Sequence, residues 1–542
     1  MMKKALTLIL TVALLGLSAW LAWSLGRASH SREAGEPAAQ SFLSESPSPP
    51  PSETKAAPIS SEPFSLNYPE APAGSLRGEA TLVFDSQDEY EQALAWLRAQ
   101  GVDVRDLLPG LNAIRIGTYD PIWKRLGAAP DQVGYNFPIT PPPPVADSPY
   151  LSAHNAAFGA GVLEFLGVDE VDASWGEGVI VAVLDSGVET DHADLKDAHL
   201  LTLTREGRSD PVGHGTAVAS LIAGQESPVP GLTPGATILS LPVLDDKGRS
   251  DTFRVAEAIL LAVDQGARVI SMSLGAYGDS RVLREAVKYA AAHDVIMVAS
   301  VGNDGAGQVA YPAAYDDVVA VAAVDALGQP ASFSNYGPQV DIAAPGVGVP
   351  VAWNGNRYAS VSGTSFSAPL VASAIALVLQ QEPGMSAHEA IGTVLDNANE
   401  GATPGKDEFV GQGILNIERI LERNQRGIFD AATAGFSVST AEGTPSGLIE
   451  VMVENRGTEY LREVWLTIEY SDHEESIALG ALGPGDVYVQ PVQITPDPLN
   501  ASDLTEVHAT VGINGSDSRP GNDSFTGQVQ TRPTSEAVTP ER

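Results

Sequence analysis

Cysteine is absent from all 542 residues. That excludes disulfides, a thiol nucleophile and any cysteine-held metal, so the fold rests on packing and any metal on oxygen or nitrogen ligands. Positive charge is also scarce: 31 Lys and Arg stand against 68 Asp and Glu, a formal net charge of −37. So acidic a chain has no broad basic surface, and neither nucleic acid nor an anionic membrane face is expected as a partner. Aromatic residues are few, at 6%, but hydrophobic residues reach 43%, enough for at least one large core.

The organisation reads in blocks. Lys3 and Lys4 precede an apolar stretch from 5 to about 26, long enough to span a bilayer and flanked as an export signal is. Residues 1–28 are thus either a cleaved signal peptide or an anchor that leaves the rest outside the cytoplasm. Residues 29–75 are rich in Pro, Ser, Glu and Ala and read as a disordered tether. A small α+β unit follows over 76–140. It has a strand at 80–84 and a helix opened by Ser86 with Glu89 three positions on, the pattern of a capping box. Tyr90, Ala93, Leu94 and Leu97 line one face of that helix, Gly101 ends it, and strands near 104–108 and 113–116 flank a Pro109-Gly110 turn. Pro138 and prolines 141–144 mark a second linker.

Over 150–426, apolar runs at 179–184, 238–243, 269–274, 295–301 and 318–324 alternate with helical patterns at 252–265 and 281–293. Such alternation predicts an α/β domain with a doubly wound, mostly parallel sheet. Beyond 426, period-two patterns at 448–454, 463–470, 488–494 and 506–513 predict a β-sandwich over 433–531, followed by a disordered tail at 532–542.

Chemistry concentrates in the α/β block. Asp185 ends an apolar run, which delivers its carboxylate to the carboxyl edge of a parallel sheet. His214 and Ser365 open apolar, small-residue segments that read as fully buried helices. A serine hydroxyl attacks only when a base takes its proton, which His214 would do while Asp185 holds the imidazole tautomer. Asn303 and the Ser365 backbone N–H are the candidate donors to the developing oxyanion. An α/β-hydrolase is disfavoured, because Gly363-Thr364-Ser365-Phe366-Ser367 lacks the second glycine of a nucleophile elbow.

The order Asp, His, Ser along the chain, with DSG at Asp185, GHGT at His214, GN at Asn303 and GTSFSAP at Ser365, resembles the subtilases, the peptidase S8 family of subtilisin-like serine proteases. The resemblance runs from about 163 to 423. It implies a serine endopeptidase acting on protein or peptide substrates and requiring no cofactor. It also implies substrate-lining segments at Gly248-Arg249-Ser250, Leu274-Gly275 and Ser300-Val301-Gly302, against which a peptide would pair as an added strand. The 76–140 unit resembles a subtilase prodomain, an intramolecular inhibitor, and self-processing between 136 and 158 would follow. Asp194 matches a calcium ligand of many subtilisins, although the matching loop, 225–230, is shorter and holds two prolines. Any such calcium would be structural. The C-terminal block resembles CARDB-type adhesion modules, either spacers or substrate binders. The rival class is a binding protein on an inactive protease scaffold, which the intact set of chemical positions opposes.

Overall fold

The computed structural model describes residues 70–117, 122–142, 155–203, 212–225, 228, 230–438, 448–494 and 504–530. The apolar segment 5–26, most of the 29–75 stretch, prolines 143 and 144 and the 532–542 tail lie outside the described residues.

The N-terminal unit is an antiparallel sheet of β1 (Glu79–Val83), β2 (Asp103–Leu108), β3 (Ala113–Gly117) and β4 (Val133–Gly134), in the order β2-β3-β1-β4. The helix Gln87–Ala99 covers one face, burying Tyr90, Ala93 and Leu97. Ser86 Oγ accepts the Glu89 N–H at 3.3 Å. Only that half of the expected capping box forms, because the Glu89 carboxylate takes Gln132 Nε2 at 3.2 Å instead. The 138–140 stretch is not a free linker. Its β5 (Pro138–Ile139) leaves this unit and pairs elsewhere.

Short apolar runs, buried on both faces except at the exposed edge strand His199–Thr202 and the off-sheet Ser250–Asp251, build the middle of the chain. They are β6 (Ile180–Asp185), β7 (His199–Thr202), β8 (Thr237–Pro242), the off-sheet β9 (Ser250–Asp251), β10 (Val269–Met272), β11 (Ile296–Ser300), β12 (Val318–Val324) and β13 (Ile342–Pro345). Seven of these form one parallel sheet, β13-β12-β11-β10-β6-β8-β7. From β6 the chain runs to the edge strand β7, comes back to β8 beside β6, then crosses to β10 on the other side. The crevice beyond β6 and β10 is therefore the switch point where open α/β sheets hold ligands.

The helices His214–Ala223 and Thr364–Gln381 share a core on one face of this sheet. Thr252–Asp264 and Arg281–Ala292 cover the other, and there Val83, Leu108, Ala113, Phe137 and Ile139 of the N-terminal unit join the same apolar cluster. Thr364–Gln381 is the one described helix long and apolar enough to cross a membrane, but 89% of its apolar window is buried inside the protein, as a core helix requires. A hairpin of β14 (Val349–Trp353) and β15 (Arg357–Val361) lies on the His214 side, with Trp353 against Gly213.

The C-terminal block is two antiparallel sheets. One holds β16 (Ala431–Val438), β17 (Leu448–Asn455) and β20 (Val487–Gln493); the other holds β18 (Leu461–Tyr470), β19 (His473–Leu482), β21 (Leu504–Ile513) and β22 (Ser524–Gln530). Ile449, Val451, Val453, Leu466, Ile468 and Val511 are among the side chains filling the core between them. Seven strands replace the four legible in the sequence. The block is fastened to the α/β domain by charge: Glu454 pairs with Arg419, contacts Arg456 Nε at 2.9 Å and accepts the Glu400 N–H at 3.0 Å. Arg519 reaches Glu418 at 2.9 Å and Asp430 at 2.6 Å.

Candidate active site

Asp185 is the last residue of β6 and is buried. Both its oxygens lie 2.9 Å from His214 Nδ1, and its Oδ1 also accepts the Ser186 N–H at 2.7 Å. A carboxylate only accepts, so the ring proton sits on Nδ1 and Nε2 is the atom able to take another. His214 is the first residue of its helix. That helix meets the turn after β6 so closely that a Cβ on Gly215 would lie 2.0 Å from the Gly187 carbonyl oxygen, which only glycine permits.

Ser365 is the second residue of the helix Thr364–Gln381, whose first N–H groups lack intrahelical partners. Its Oγ is buried and has no hydrogen-bond partner among the described residues. The serine-to-histidine bond is thus not made in this state, while the His214 ring stands 5.5 Å from the Phe366 ring. Asn303 follows β11. Its Oδ1 accepts from the Thr364 N–H at 2.9 Å and the Thr364 hydroxyl at 2.8 Å, which turns the amide nitrogen toward Gly363. Gly363 has φ 152°, and a Cβ there would meet Asn303 Nδ2 at 2.8 Å.

The three segments expected to line a substrate are distributed as follows. Ser250 pairs with Ile139, and Gly275 exchanges two hydrogen bonds with Thr140, at 3.3 and 2.9 Å. Residues 138–140 therefore run between these two edges as a central antiparallel strand. Gly248 and Arg249 form the turn before Ser250, closed on Asp245 by the Gly248 N–H at 2.8 Å and the Arg249 guanidinium at 3.0 Å. Ser300, Val301 and Gly302 are buried behind Asn303, and the Val301 carbonyl accepts from Asn335 Nδ2 at 3.2 Å.

Several residues that sequence reasoning missed support the site. Ser273, just past β10, donates its hydroxyl to the Ser365 carbonyl at 2.6 Å. Asn335 also donates to the Tyr277 hydroxyl at 2.7 Å, and that hydroxyl donates to Asp304. Burial, then Asp304, pushes the Tyr277 phenol up to about 12. No local pattern marks Asn335 or Tyr277; their roles arise from contacts across 27 to 58 residues.

Asp194 is fully buried, packed where a Gly224 Cβ would fall 2.6 Å from its Oδ2. Among the described residues no group of three or more Asp, Glu or His gathers around a common point. Calcium also takes backbone and amide oxygens, and residues 226, 227 and 229 of the matching loop lie outside the described residues; no step below runs through a metal.

The sheet, the two buried helices and the Asp185–His214 geometry define an α/β hydrolytic protein of the serine type. Residues 176–413 match the subtilase family, peptidase S8. The chain is 39% identical over 253 residues to a thermostable alkaline protease of Halalkalibacterium halodurans, covering 46% of this chain and 69% of that protein. It is 37% identical over 247 residues to subtilisin Savinase of Lederbergia lenta, covering 45% and 90%. A solved structure of a mutant protease domain of PatA is 31% identical, covers 45% of this chain and 94% of that one, and superposes with a TM-score of 0.42. The chain belongs to the subtilase family and is a subtilisin-like serine protease.

Proposed function

We propose that the chain is an exported serine endopeptidase, made as a membrane-anchored or secreted precursor, that its own N-terminal unit holds inhibited. The observation carrying this reading is the strand 138–140 seated between Ser250 and Gly275 at the carboxyl edge of the sheet. A substrate peptide would pair with the same two edges, drawing affinity from its backbone and selectivity from alternate side chains.

In the reaction, Ser365 Oγ attacks the scissile carbonyl as its proton passes to His214 Nε2. Asp185 holds the imidazole by Nδ1 and stabilises the imidazolium. The Asn303 amide and the Ser365 N–H receive the oxyanion, and His214 then protonates the departing amine, leaving an acyl-enzyme that water hydrolyses by the same steps. Ser365→Ala tests the assignment. A loss of about 10⁶ in kcat, the value known for nucleophile removal in a subtilisin, is expected; near-normal turnover would refute it.

Export rests on Lys3, Lys4 and the apolar run 5–26. Maturation is constrained by register. Antiparallel pairing of Thr140 with Gly275 sets buried Pro142 abreast of Ser273, whose hydroxyl holds Ser365. The next bond in the sequence joins two prolines, Pro142 and Pro143. Proline has no N–H for strand pairing, and its ring crowds the attacked amide. The seated strand therefore stays uncut, and the self-cleavage that frees the enzyme flanks the 141–144 run. N-terminal sequencing of wild type and Ser365→Ala tests this. An active, full-length, membrane-bound enzyme, identical processing in both proteins, or a cut between 142 and 143 would each overturn it.

A further inference from the structure

The Ser365 carbonyl lies in the first turn of an α-helix, where it would accept the N–H of the residue four positions on. That residue is Pro369, inside the helix and without an N–H. A buried carbonyl deprived of its helical donor needs another. Ser273 supplies it from a different element: its buried hydroxyl donates to the Ser365 oxygen at 2.6 Å.

The position of Ser273 gives this bond a second consequence. Ser273 follows β10 directly and precedes Leu274 and Gly275, and Gly275 is the edge that exchanges both backbone hydrogen bonds with Thr140. The Ser273–Ser365 bond thus ties the edge that grips a peptide backbone to the residue carrying the attacking oxygen. Among the described residues Ser365 Oγ has no hydrogen-bond partner, so its position depends on the backbone that Ser273 holds.

We propose that Ser273 is a positioning residue for catalysis. Its hydroxyl is committed to the Ser365 carbonyl rather than to a reacting atom, and it sets the separation between the peptide-binding edge and the Ser365 nucleophile. Peptide bound on an unshifted edge keeps its affinity when the tie is cut, while the nucleophile drifts from the attacked carbonyl. Misplacement on the ångström scale costs up to about 100-fold in rate.

The test uses the processed enzyme, expressed as the full-length chain and then freed of the inhibitory segment, with active sites counted by burst titration so that misfolded protein does not enter kcat. Ser273→Ala is expected to lower kcat about 10- to 100-fold with KM within about twofold of wild type. Ser273→Thr, which keeps the hydroxyl, should recover most of the loss. The decisive variant is Ser273→Ala with Pro369→Ala, because the new N–H at 369 restores a donor to the same carbonyl, and its kcat should rise above that of Ser273→Ala alone. Should Ser273→Ala fail to fold, the double variant is expected to fold and turn over. Unchanged kcat in Ser273→Ala, a loss confined to KM, or a double variant no better than the single one would overturn the proposal. The inference rests on Ser365 as nucleophile. If Ser365→Ala keeps activity, that assignment falls; if it is inactive and Pro369→Ala gives no rescue, only the Ser273 tie falls.

Discussion

Two units flank the protease domain, and they are attached by opposite means. The N-terminal unit lays an apolar sheet face on the helices Thr252–Asp264 and Arg281–Ala292 and sends residues 138–140 between two strand edges. Charge adds to this attachment through a half-buried pair, Arg115 with Asp251 at 3.2 Å, and an outlying one, Arg281 with Asp85 at 3.4 Å, whose carboxylate is well exposed. The C-terminal sandwich is instead joined through Glu454, buried and clasped by Arg419 and Arg456, and through Arg519 among Glu418, Glu422 and Asp430. Burial works to raise the Glu454 carboxyl, but the two arginines outweigh it and hold it below the ordinary carboxylate range. Main-chain pairing accepts any extended peptide, so a substrate can replace the first attachment. Buried charges accept only partners placed to meet them, so nothing diffusing in replaces the second. On the proposed function, the first attachment is the one that exchanges and the second the one that persists.

Breaking the C-terminal clasp should have the largest effect. Glu454→Ala leaves two arginines facing each other without their acid, and removal of one partner of a buried pair costs about 3–5 kcal/mol. Thermal unfolding should show Tm lowered by about 10 °C. A loss under about 1 kcal/mol would mean that the sandwich is held mainly by its apolar contacts.

On the N-terminal side the equivalent break is Ile139→Asp. Ile139 is fully buried in the seated strand, and burial of such a side chain is worth about 1.5–3 kcal/mol before the added carboxylate is counted. Unprocessed enzyme should hydrolyse a short peptide at least about tenfold faster, with little change in the main unfolding transition. Unaltered peptidase activity would show that the seated strand is not what blocks the cleft.

A finer test concerns Glu400, beside the clasp. Burial raises its carboxyl to about 6, against N–H bonds from Gly405 and Gly401 that favour the charged form. The folded state therefore binds this proton more tightly than the unfolded chain, and stability falls as pH rises from about 4.5 through 6, the penalty being complete above that. Relative to wild type, Glu400→Gln should gain about 2–4 °C in Tm at pH 8 and nothing at pH 4. The same difference at both pH values would remove ionisation as its cause. Smallest of all, Arg281→Ala should change neither Tm nor inhibition measurably, since exposed pairs contribute about 0–1 kcal/mol; a large effect would contradict the contrast between the two attachments.

Legibility followed local pattern. The runs ending at Asp185 and Ser300 announce buried strands, and the apolar segments after His214 and Ser365 announce buried helices, because each pattern reports its own burial. Strand β19 escaped because its start, His473-Glu474-Glu475-Ser476, is polar throughout and faces solvent on both sides. The capping box at Ser86 was half wrong for a similar reason: Glu89 found Gln132, a partner 43 positions away that no local rule contains. Pro369 did signal that the Ser365 carbonyl lacks a helical donor, but nothing in its neighbourhood names Ser273 as the replacement.

By itself the sequence determined the chemistry and the architecture that carries it. Four residues in four local motifs specify their side chains, and period and hydrophobicity specify parallel strands and core helices. Tertiary structure alone decided what lies between those elements. It placed Thr140 against Gly275, Pro142 abreast of Ser273, and Glu454 against Arg419 of the helix Ile417–Glu422. Such contacts join residues tens to hundreds of positions apart, where the chain carries no periodic or compositional record of its partner, and they are fixed only when packing closes the loops between them.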